Sequence, residues 1–227
     1  CFENDDITHV SGKVDPIADF EVVETELMLA DMESLEKRKA GVVKKANSGD
    51  KEAKAQVALI DLALAELNEG RPARRAVVSQ DDTKAWNMLQ LLTSKPVLFV
   101  ANVDEDSAAT GNEYSKRVEA RAAEEGAACV VISAQIEAEL ALLDEPDRSE
   151  YLETLGLEEP GLTRLIHTGY DLLNLQTYFT VGPKEARAWT IRKGWSAPKA
   201  AGVIHGDFEK GFIRAETVAY KDYVEYG

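Results

Sequence analysis

Two short polar clusters follow apolar runs of strand length. Asn102 and Glu105 come within five positions of the run at residues 97–100, and Ser133-Ala134-Gln135 follows residues 128–132. An Asn amide offers both a donor and an acceptor to the edge of a flat heterocycle, and a carboxylate three places on can accept from an exocyclic amine. The small Ser-Ala pair lets backbone groups approach closely. These residue types predict a base-binding site, although Asn-x-x-Glu and Ser-Ala also occur by chance.

The elements around these clusters follow the order strand, helix, strand. Continuously apolar runs form the two strands, and a helix around Glu113–Glu125 between them is closed by Gly126. This pattern is typical of a parallel sheet covered on both faces. Ligands bind beyond the carboxyl ends of strands in open α/β sheets. We therefore expect both clusters at one edge of the sheet.

A helical hairpin is predicted before this sheet. A helical pattern without proline covers residues 17–47, and residues 47–50 supply a stop, a turn and an N-cap. A second helix is indicated by apolar residues at alternating spacings of four and three: Ala53, Val57, Ile60, Leu64 and Leu67. Two helices joined by a tight turn pack antiparallel. This coiled-coil-like hairpin ends at residues 70–72.

The remaining segments alternate between helical and β patterns. Ser79 and Asp82 resemble a capping box that opens a helix over residues 81–92, and residues 134–173 predict several helices. Beyond Asn174, the pattern predicts strands at 177–180 and 186–191, a helical stretch at 198–208, and a strand at 212–220. That order is β-grasp-like, and it stops without a final strand.

Composition narrows the classes of partner. The 227 residues include 41 acidic and 26 basic side chains, so the net charge of -15 repels nucleic acid and anionic membranes. RNA contact would therefore need a local basic patch. The apolar runs fall short of the roughly 20 residues that span a bilayer. The chain is predicted to be cytoplasmic, without a membrane partner.

The cysteines and histidines predict neither a disulfide framework nor a metal site. Cys129 lies in an apolar run, which favours a reducing compartment over pairing with Cys1. No carboxylate or cysteine lies at ligand spacing from His9, His167 or His205.

Two basic clusters are candidates for contact with RNA or another partner. The first lies near the hairpin tip and comprises Lys37, Arg38, Lys39, Lys44 and Lys45. The second comprises Arg187, Arg192 and Lys193, interleaved with Trp189 and Trp195. Basic side chains interleaved with aromatic rings suit RNA binding, because nucleobases can stack on the rings. The alternatives are a solvated face for the first cluster and core packing for Trp189.

Several segments resemble one family, the YchF-type or Obg-like ATPases. Residues 1–16 resemble the stretch after the family's second switch, and Asn102-Val-Asp-Glu105 resembles its Asn-x-x-Glu version of the guanine-reading Asn-Lys-x-Asp motif of GTPases. Ser133-Ala134-Gln135 is similar to the fifth G motif. Residues 172–180 and 210–216 are similar to the family's TGS domain. The likeness covers essentially the whole chain, in order.

The resemblance implies an α/β fold with three parts. A partial P-loop GTPase-like parallel sheet would comprise residues 1–16 and 73–173, and an inserted antiparallel helical hairpin would comprise residues 17–72. An incomplete C-terminal β-grasp TGS domain would comprise residues 174–227.

The resemblance also implies an ATPase that uses Mg²⁺ with ATP and associates with the ribosome, on its large subunit, or with RNA. Adenine would be contacted by Asn102, Val103 through its backbone, Glu105, Ser133, Ala134 and Gln135. In the GTPase motif, Asp accepts from guanine N1–H and the 2-amino group, which adenine lacks. With Val103 in place of the motif's Lys and Glu105 in place of its Asp, this recognition of guanine is removed. The Asn102 amide can still hydrogen-bond to the N6/N7 edge of adenine.

The phosphate-binding motif is not found in this sequence. Gly12-Lys13 is followed by Val14, and Ile7 occupies the first-glycine position, so G-x-x-x-x-G-K-[ST] is not satisfied. The resemblance implies that this loop, both switches and the magnesium ligand lie upstream of Cys1. We expect the intact protein to hydrolyse ATP and this chain alone to be inactive. The alternative is a non-catalytic ribosome-, RNA- or protein-binding module that uses the hairpin and the TGS domain.

Overall fold

The computed structural model describes residues 1–4, 9 and 12–226. The chain divides into two compact units, Cys1–Ile166 and His167–Gly227. The first unit contains a helical hairpin and a parallel pair of strands, and the second contains an antiparallel pair. Part of the stretch that resembles the post-switch segment, at residues 5–8 and 10–11 and including Ile7, lies outside the described residues.

The hairpin is formed by α1 (Pro16–Asn47) and α2 (Lys51–Asn68). Asp50 caps α2, because its Oδ1 accepts from the N–H groups of Glu52 and Ala53. The two helices pack through one buried cluster, which includes Met28, Leu35, Leu59, Ile60, Ala63 and Leu67. Both helices predicted for the hairpin are therefore present, joined by a tight turn.

The segment after the hairpin is less helical than its sequence predicts. A 3₁₀ turn at Ala73–Arg75 is followed by α3 (Thr83–Asn87), so the predicted helix over residues 81–92 is wrong in its extent. Gln90 has a φ of 56°, which ends the helical path. Beyond it, the Asp31 carboxylate of α1 accepts from the backbone N–H groups of Leu92 and Thr93. A distant acceptor therefore replaces the local helical partner.

The parallel sheet consists of β1 (Leu98–Asn102) and β2 (Ala128–Ile132), connected through α4 (Glu113–Glu125). Asn102 aligns with Ile132 in the parallel register, which confirms the predicted strand pair. One face of the sheet packs on α4 and α1, and Phe99 lies 4.8 Å from the ring of Phe20. On the opposite face Val100 is 44% exposed, so the prediction of cover on both faces is wrong at that residue.

Three helices complete the first unit and lead into the second: α5 (Ala134–Leu140), α6 (Glu145–Thr154) and α7 (Gly161–Leu172). Ala108 packs in one apolar cluster with Ile136, Leu140 and Leu152, so α5 and α6 support the loop after β1. Among the described helices, none combines the length and the apolar character that a membrane span requires.

The second unit is built on β3 (Leu175–Val181) and β4 (Ala186–Arg192), which pair antiparallel. Three short helices follow: α8 (Ala197–Ala201), α9 (Gly206–Lys210) and α10 (Tyr220–Tyr226). The predicted strand at residues 212–220 is wrong, because this described stretch has no regular structure before α10 begins. Ile213 is 91% exposed there, and an extended segment forms a strand only when a neighbour accepts its backbone hydrogen bonds.

Candidate functional site

The two polar clusters meet at the carboxyl edge of the parallel sheet. The backbone N–H of Val103 donates to the carbonyl of Ile132 across 2.8 Å, which extends the strand pairing by one bond. The side-chain Oδ1 of Asn102 accepts from the N–H of Ala134 at 2.9 Å. The structure therefore brings together residues that lie some thirty positions apart, as the strand–helix–strand pattern predicted.

The Asn102 side chain is held in one orientation. Because the Ala134 N–H is a donor, only the carbonyl oxygen of the amide can face it. The Nδ2 group and one lone pair of Oδ1 remain for another partner, and no described residue takes the Nδ2 hydrogens. A fixed donor next to a fixed acceptor suits a planar heterocycle.

Ser133 contributes a buried hydroxyl at the same edge. The residue is 3% exposed, and no atom of the described residues forms a hydrogen bond with its Oγ. An unsatisfied buried polar group costs about 1–3 kcal/mol, so most are paired in folded proteins. The neighbouring Ala134 and Gln135 are exposed. The edge thus offers an unused hydroxyl beside accessible residues.

The loop after β1 is a compact turn that carries Glu105. Val103 is 2% exposed as a whole residue, and its N–H already donates to the Ile132 carbonyl, so its side chain and its N–H are closed to a ligand. Asp104 Oδ1 accepts from the Ser107 N–H at 2.9 Å, and the Glu105 carbonyl accepts from the Ala108 N–H. These bonds hold the loop that carries the half-buried Glu105 at the carboxyl end of β1.

Tyr151 and Glu139 adjoin Glu105, and the sequence did not identify them. The Tyr151 hydroxyl donates to the Glu139 carboxylate. That hydrogen bond, together with burial and the negative charges of Glu139 and Glu105, raises the pKa of Tyr151 to about 12. No spacing rule connects these residues, because the packing of α5, α6 and the loop after β1 brings them together.

The basic cluster predicted near the hairpin tip divides into two sets. Lys39 Nζ pairs with Asp61 Oδ1 at 2.5 Å, and Arg38 Nη1 donates to the Met88 carbonyl at 3.3 Å. These two side chains therefore bind within the protein. Exposed lysines of the hairpin are Lys37, Lys44 and Lys45 on α1, with Lys51 and Lys54 on α2. The α2 pair was missed, although basic residues directly after the turn signalled it.

The second predicted basic cluster is also partly engaged. Lys193 Nζ pairs with Asp171 Oδ1 at 2.6 Å. The Arg187 guanidinium stacks 4.2 Å above the Trp189 ring, whose Nε1 donates to Thr180 Oγ1 at 2.9 Å. Arg192 is exposed, and Trp195 is covered by the Lys199 ammonium at 4.4 Å from the ring centroid.

An ionic cluster that the sequence did not predict ties the base of the hairpin to α4. Arg74 binds Glu24 of α1 and Glu125 of α4, the latter at 2.6 Å. Arg121 lies 2.9 Å from Glu125 and stacks on Phe20. Three of these residues, Glu24, Arg121 and Glu125, border a cleft of about 430 Å³. The hairpin is therefore anchored to the helix that connects the two parallel strands.

Comparison with known proteins gives consistent matches. Residues 175–227 match the family model YchF-GTPase_C, described as a protein of unknown function (DUF933). The chain is 50% identical over 226 residues to the ribosome-binding ATPase YchF of Escherichia coli O157:H7, covering 100% of this chain and 62% of that relative. It is 48% identical to the protein of the same name from Bacillus subtilis (strain 168), covering 100% of this chain and 63% of that relative.

A solved structure agrees with these relatives. The Schizosaccharomyces pombe YchF GTPase matches with a TM-score of 0.83 and 37% identity, over 99% of this chain and 62% of that one. The chain thus spans a little over three fifths of the length of the proteins it matches. On the similarity of its whole sequence and of its fold, the chain belongs to the YchF family.

Proposed function

We propose that the intact protein is a ribosome-associated P-loop ATPase of the YchF type, in which this chain recognises the adenine base. The relatives that match the whole chain are named ribosome-binding ATPases. The observation that carries the assignment of the site is the bond from the Ala134 N–H to Asn102 Oδ1, which holds both clusters at one edge of the sheet.

In this proposal the edge distinguishes adenine from guanine by hydrogen bonding. Asn102 Nδ2 donates to N7, which both purines carry, and therefore supports binding without selecting the base. The Glu105 carboxylate accepts from the N6 amine of adenine. Guanine has the O6 acceptor at that position, so two acceptors would face each other. Ser133 Oγ, the Val103 carbonyl and the exposed Ala134 and Gln135 complete the edge.

Catalysis is assigned to the intact protein. The described residues contain no group of three or more His, Cys, Asp or Glu side chains that could hold a metal ion. No magnesium ligand and no catalytic side chain is assigned to this chain, because the motif G-x-x-x-x-G-K-[ST] is not found in its sequence. When bound with ATP, Mg²⁺ would neutralise phosphate charge. Adenine recognition is the part of the reaction that this chain supplies.

The chain contributes to three domains of the proposed intact protein. Residues 1–16 and 73–173 form part of a GTPase-like domain, residues 17–72 form a coiled-coil insertion, and residues 174–227 form a TGS domain. Support comes from the parallel strand pair, the helical hairpin and the family match over residues 175–227. Contact with the ribosome is assigned to the hairpin and the TGS domain.

A substitution at Glu105 tests the base-recognition assignment. Glu105→Gln replaces an acceptor by an amide whose NH₂ group can donate to guanine O6. The ratio of ATP to GTP affinity should fall about tenfold, as expected for one exchanged hydrogen bond. Calorimetric titration of the intact protein with each nucleotide measures this ratio.

Asp104→Asn provides the matched control. It removes the same charge one residue away and keeps the Oδ1 that accepts from Ser107. The control should leave the ATP to GTP ratio unchanged. If Glu105→Gln also left it unchanged, Glu105 would not read the base.

A further inference from the structure

The hairpin tip concentrates positive charge on an acidic chain. Residues 37–57 contain seven basic side chains and two acidic ones, a net charge of +5, whereas the whole chain carries -15. One of the two acids, Asp50, is the N-cap of α2 and accepts from Glu52 and Ala53. A polyanion is therefore repelled by most of this protein and attracted by one segment.

Backbone hydrogen bonds hold four lysines around one turn. The Asp50 N–H donates to the Lys45 carbonyl, and the Lys54 N–H donates to the Asp50 carbonyl. Lys44 and Lys45 thus end α1 where Lys51 and Lys54 begin α2. All four side chains are exposed, and within the described chain none lies within 4.0 Å of a carboxylate oxygen. We call these four residues the tip lysines.

Stability of the helices does not account for the two lysines on α2. A helix N-terminus carries a partial positive charge, so basic side chains in the first turn are electrostatically unfavourable. Lys51 occupies the first position of α2, and Lys54 lies three residues later. Both add positive charge where the free helix disfavours it. A bound anion would remove that cost.

The chemistry of the tip favours phosphates over a protein surface. Protein interfaces centre on buried aromatic, Met and Arg residues, and lysine is depleted from them. Among the described residues from 37 to 57, no large apolar side chain is exposed. Lysine is a point charge that binds phosphate through electrostatic attraction and counterion release. The small residues Gly41, Ser48 and Gly49 also leave room for close approach.

We propose that the tip lysines bind the phosphate backbone of RNA. The inference rests on the proposed ribosome association only for the source of that RNA. Each lysine neutralises one phosphate, so the binding is independent of base sequence and sensitive to salt. Arg38 and Lys39, which are engaged within the protein, take no part.

The test compares two variants with equal charge. The tip variant carries Lys→Gln changes at Lys44, Lys45, Lys51 and Lys54. The control variant carries the same change at four exposed lysines elsewhere in the first unit: Lys13, Lys84, Lys95 and Lys116. Fluorescence anisotropy of a labelled RNA duplex of about 16 base pairs measures affinity for the full 227-residue chain. Circular dichroism verifies that both variants are folded.

The tip variant should bind the duplex at least about tenfold more weakly than the unchanged chain. Its plot of log affinity against log salt, between about 50 and 200 mM, should be shallower by about 3, as expected when four phosphate contacts are lost. The control variant should differ from the unchanged chain by less than about twofold.

Two results would overturn the inference. Equal loss of RNA affinity in both variants would mean that overall charge, not the tip, governs binding. Unchanged RNA affinity in the tip variant, with loss of cosedimentation with ribosomes, would identify a ribosomal protein as the partner. If the unchanged chain binds RNA through the tip but does not sediment with ribosomes, the ribosome association fails and the phosphate-binding tip stands.

Discussion

Removal of the Asp31 carboxylate should destabilise the first unit substantially. Asp31 is 3% exposed and accepts three hydrogen bonds: from the Leu92 N–H at 2.8 Å, the Thr93 N–H at 2.8 Å and the Thr93 hydroxyl at 2.7 Å. Thr93 Oγ1 in turn accepts from the Ala73 N–H. The Asp31 carboxylate therefore connects α1 directly to residues 92–93 and, through the Thr93 hydroxyl, to Ala73.

The magnitude follows from the donors that Asp31→Ala leaves without a partner. A hydrogen bond to a charged group contributes about 1.5–3 kcal/mol, and a buried donor left unpaired costs about 1–3 kcal/mol. Relief of the buried charge offsets part of that loss. We expect the free energy of unfolding to fall by about 3 kcal/mol. Asp31→Asn, which keeps one acceptor oxygen, should cost less.

Urea unfolding followed by far-UV circular dichroism measures this change. With a slope of about 2 kcal/mol per molar urea, a loss of 3 kcal/mol lowers the midpoint by about 1.5 M. Glu33→Gln, at an exposed position on the same helix, is the control and should shift the midpoint by less than about 0.3 M. If Asp31→Ala behaved like Glu33→Gln, the buried carboxylate would contribute nothing to stability.

Three further predictions use the same chain. Glu139→Gln should lower the pKa of Tyr151 from about 12 toward the ordinary tyrosine value, since the hydrogen bond to Glu139 is its largest cause; carbon NMR titration of the tyrosine rings measures it, and an unmoved pKa contradicts it. Gly126→Ala, at a φ of 67°, should destabilise by about 1 kcal/mol, whereas Gly41→Ala inside α1 should stabilise by a similar amount; urea midpoints that shift in the same direction would refute this. Burial raises the pKa of the Cys129 thiol, so iodoacetamide should modify it more slowly in the folded chain than in urea, and equal rates would count against that burial.

Local sequence signals predicted the helical hairpin, the end of α4 and the parallel strand pair. The helical hairpin followed from the apolar spacing of α2 and from Asp50, and Gly126 marked the end of α4 at a left-handed φ. The parallel pairing of β1 with β2 followed from two continuously apolar runs joined through a helix. In the hairpin and at the end of α4, the residues that decide the structure lie within a few positions of one another. The strand pairing joins residues thirty positions apart, but each strand was signalled by its own apolar run.

Errors arose where a distant partner decides the conformation. The pattern over residues 81–92 is helical, but Asp31, some sixty positions earlier, binds the amides that would continue the helix. A strand was expected at residues 212–220, yet a strand also needs a neighbour, which local pattern does not reveal. In the candidate site, the sequence could identify Asn102, Glu105 and Ser133 as candidate residues, because each lies just after a predicted strand. Glu139 and Tyr151 depend on packing and were not.

The continuous helix α1 links the parallel sheet mechanically to the hairpin tip. Its 32 residues extend about 48 Å at 1.5 Å per residue. Near one end Phe20 packs on Phe99 of β1, the strand that ends at Asn102, and the other end carries Lys44 and Lys45. The far end lies about 40 Å from Phe20, so a rotation of about 5° around the Phe20 contact would displace it by about 3.5 Å. Conversely, α1 would transmit a force applied at the tip to the strand whose end carries Asn102, the residue proposed to contact the base.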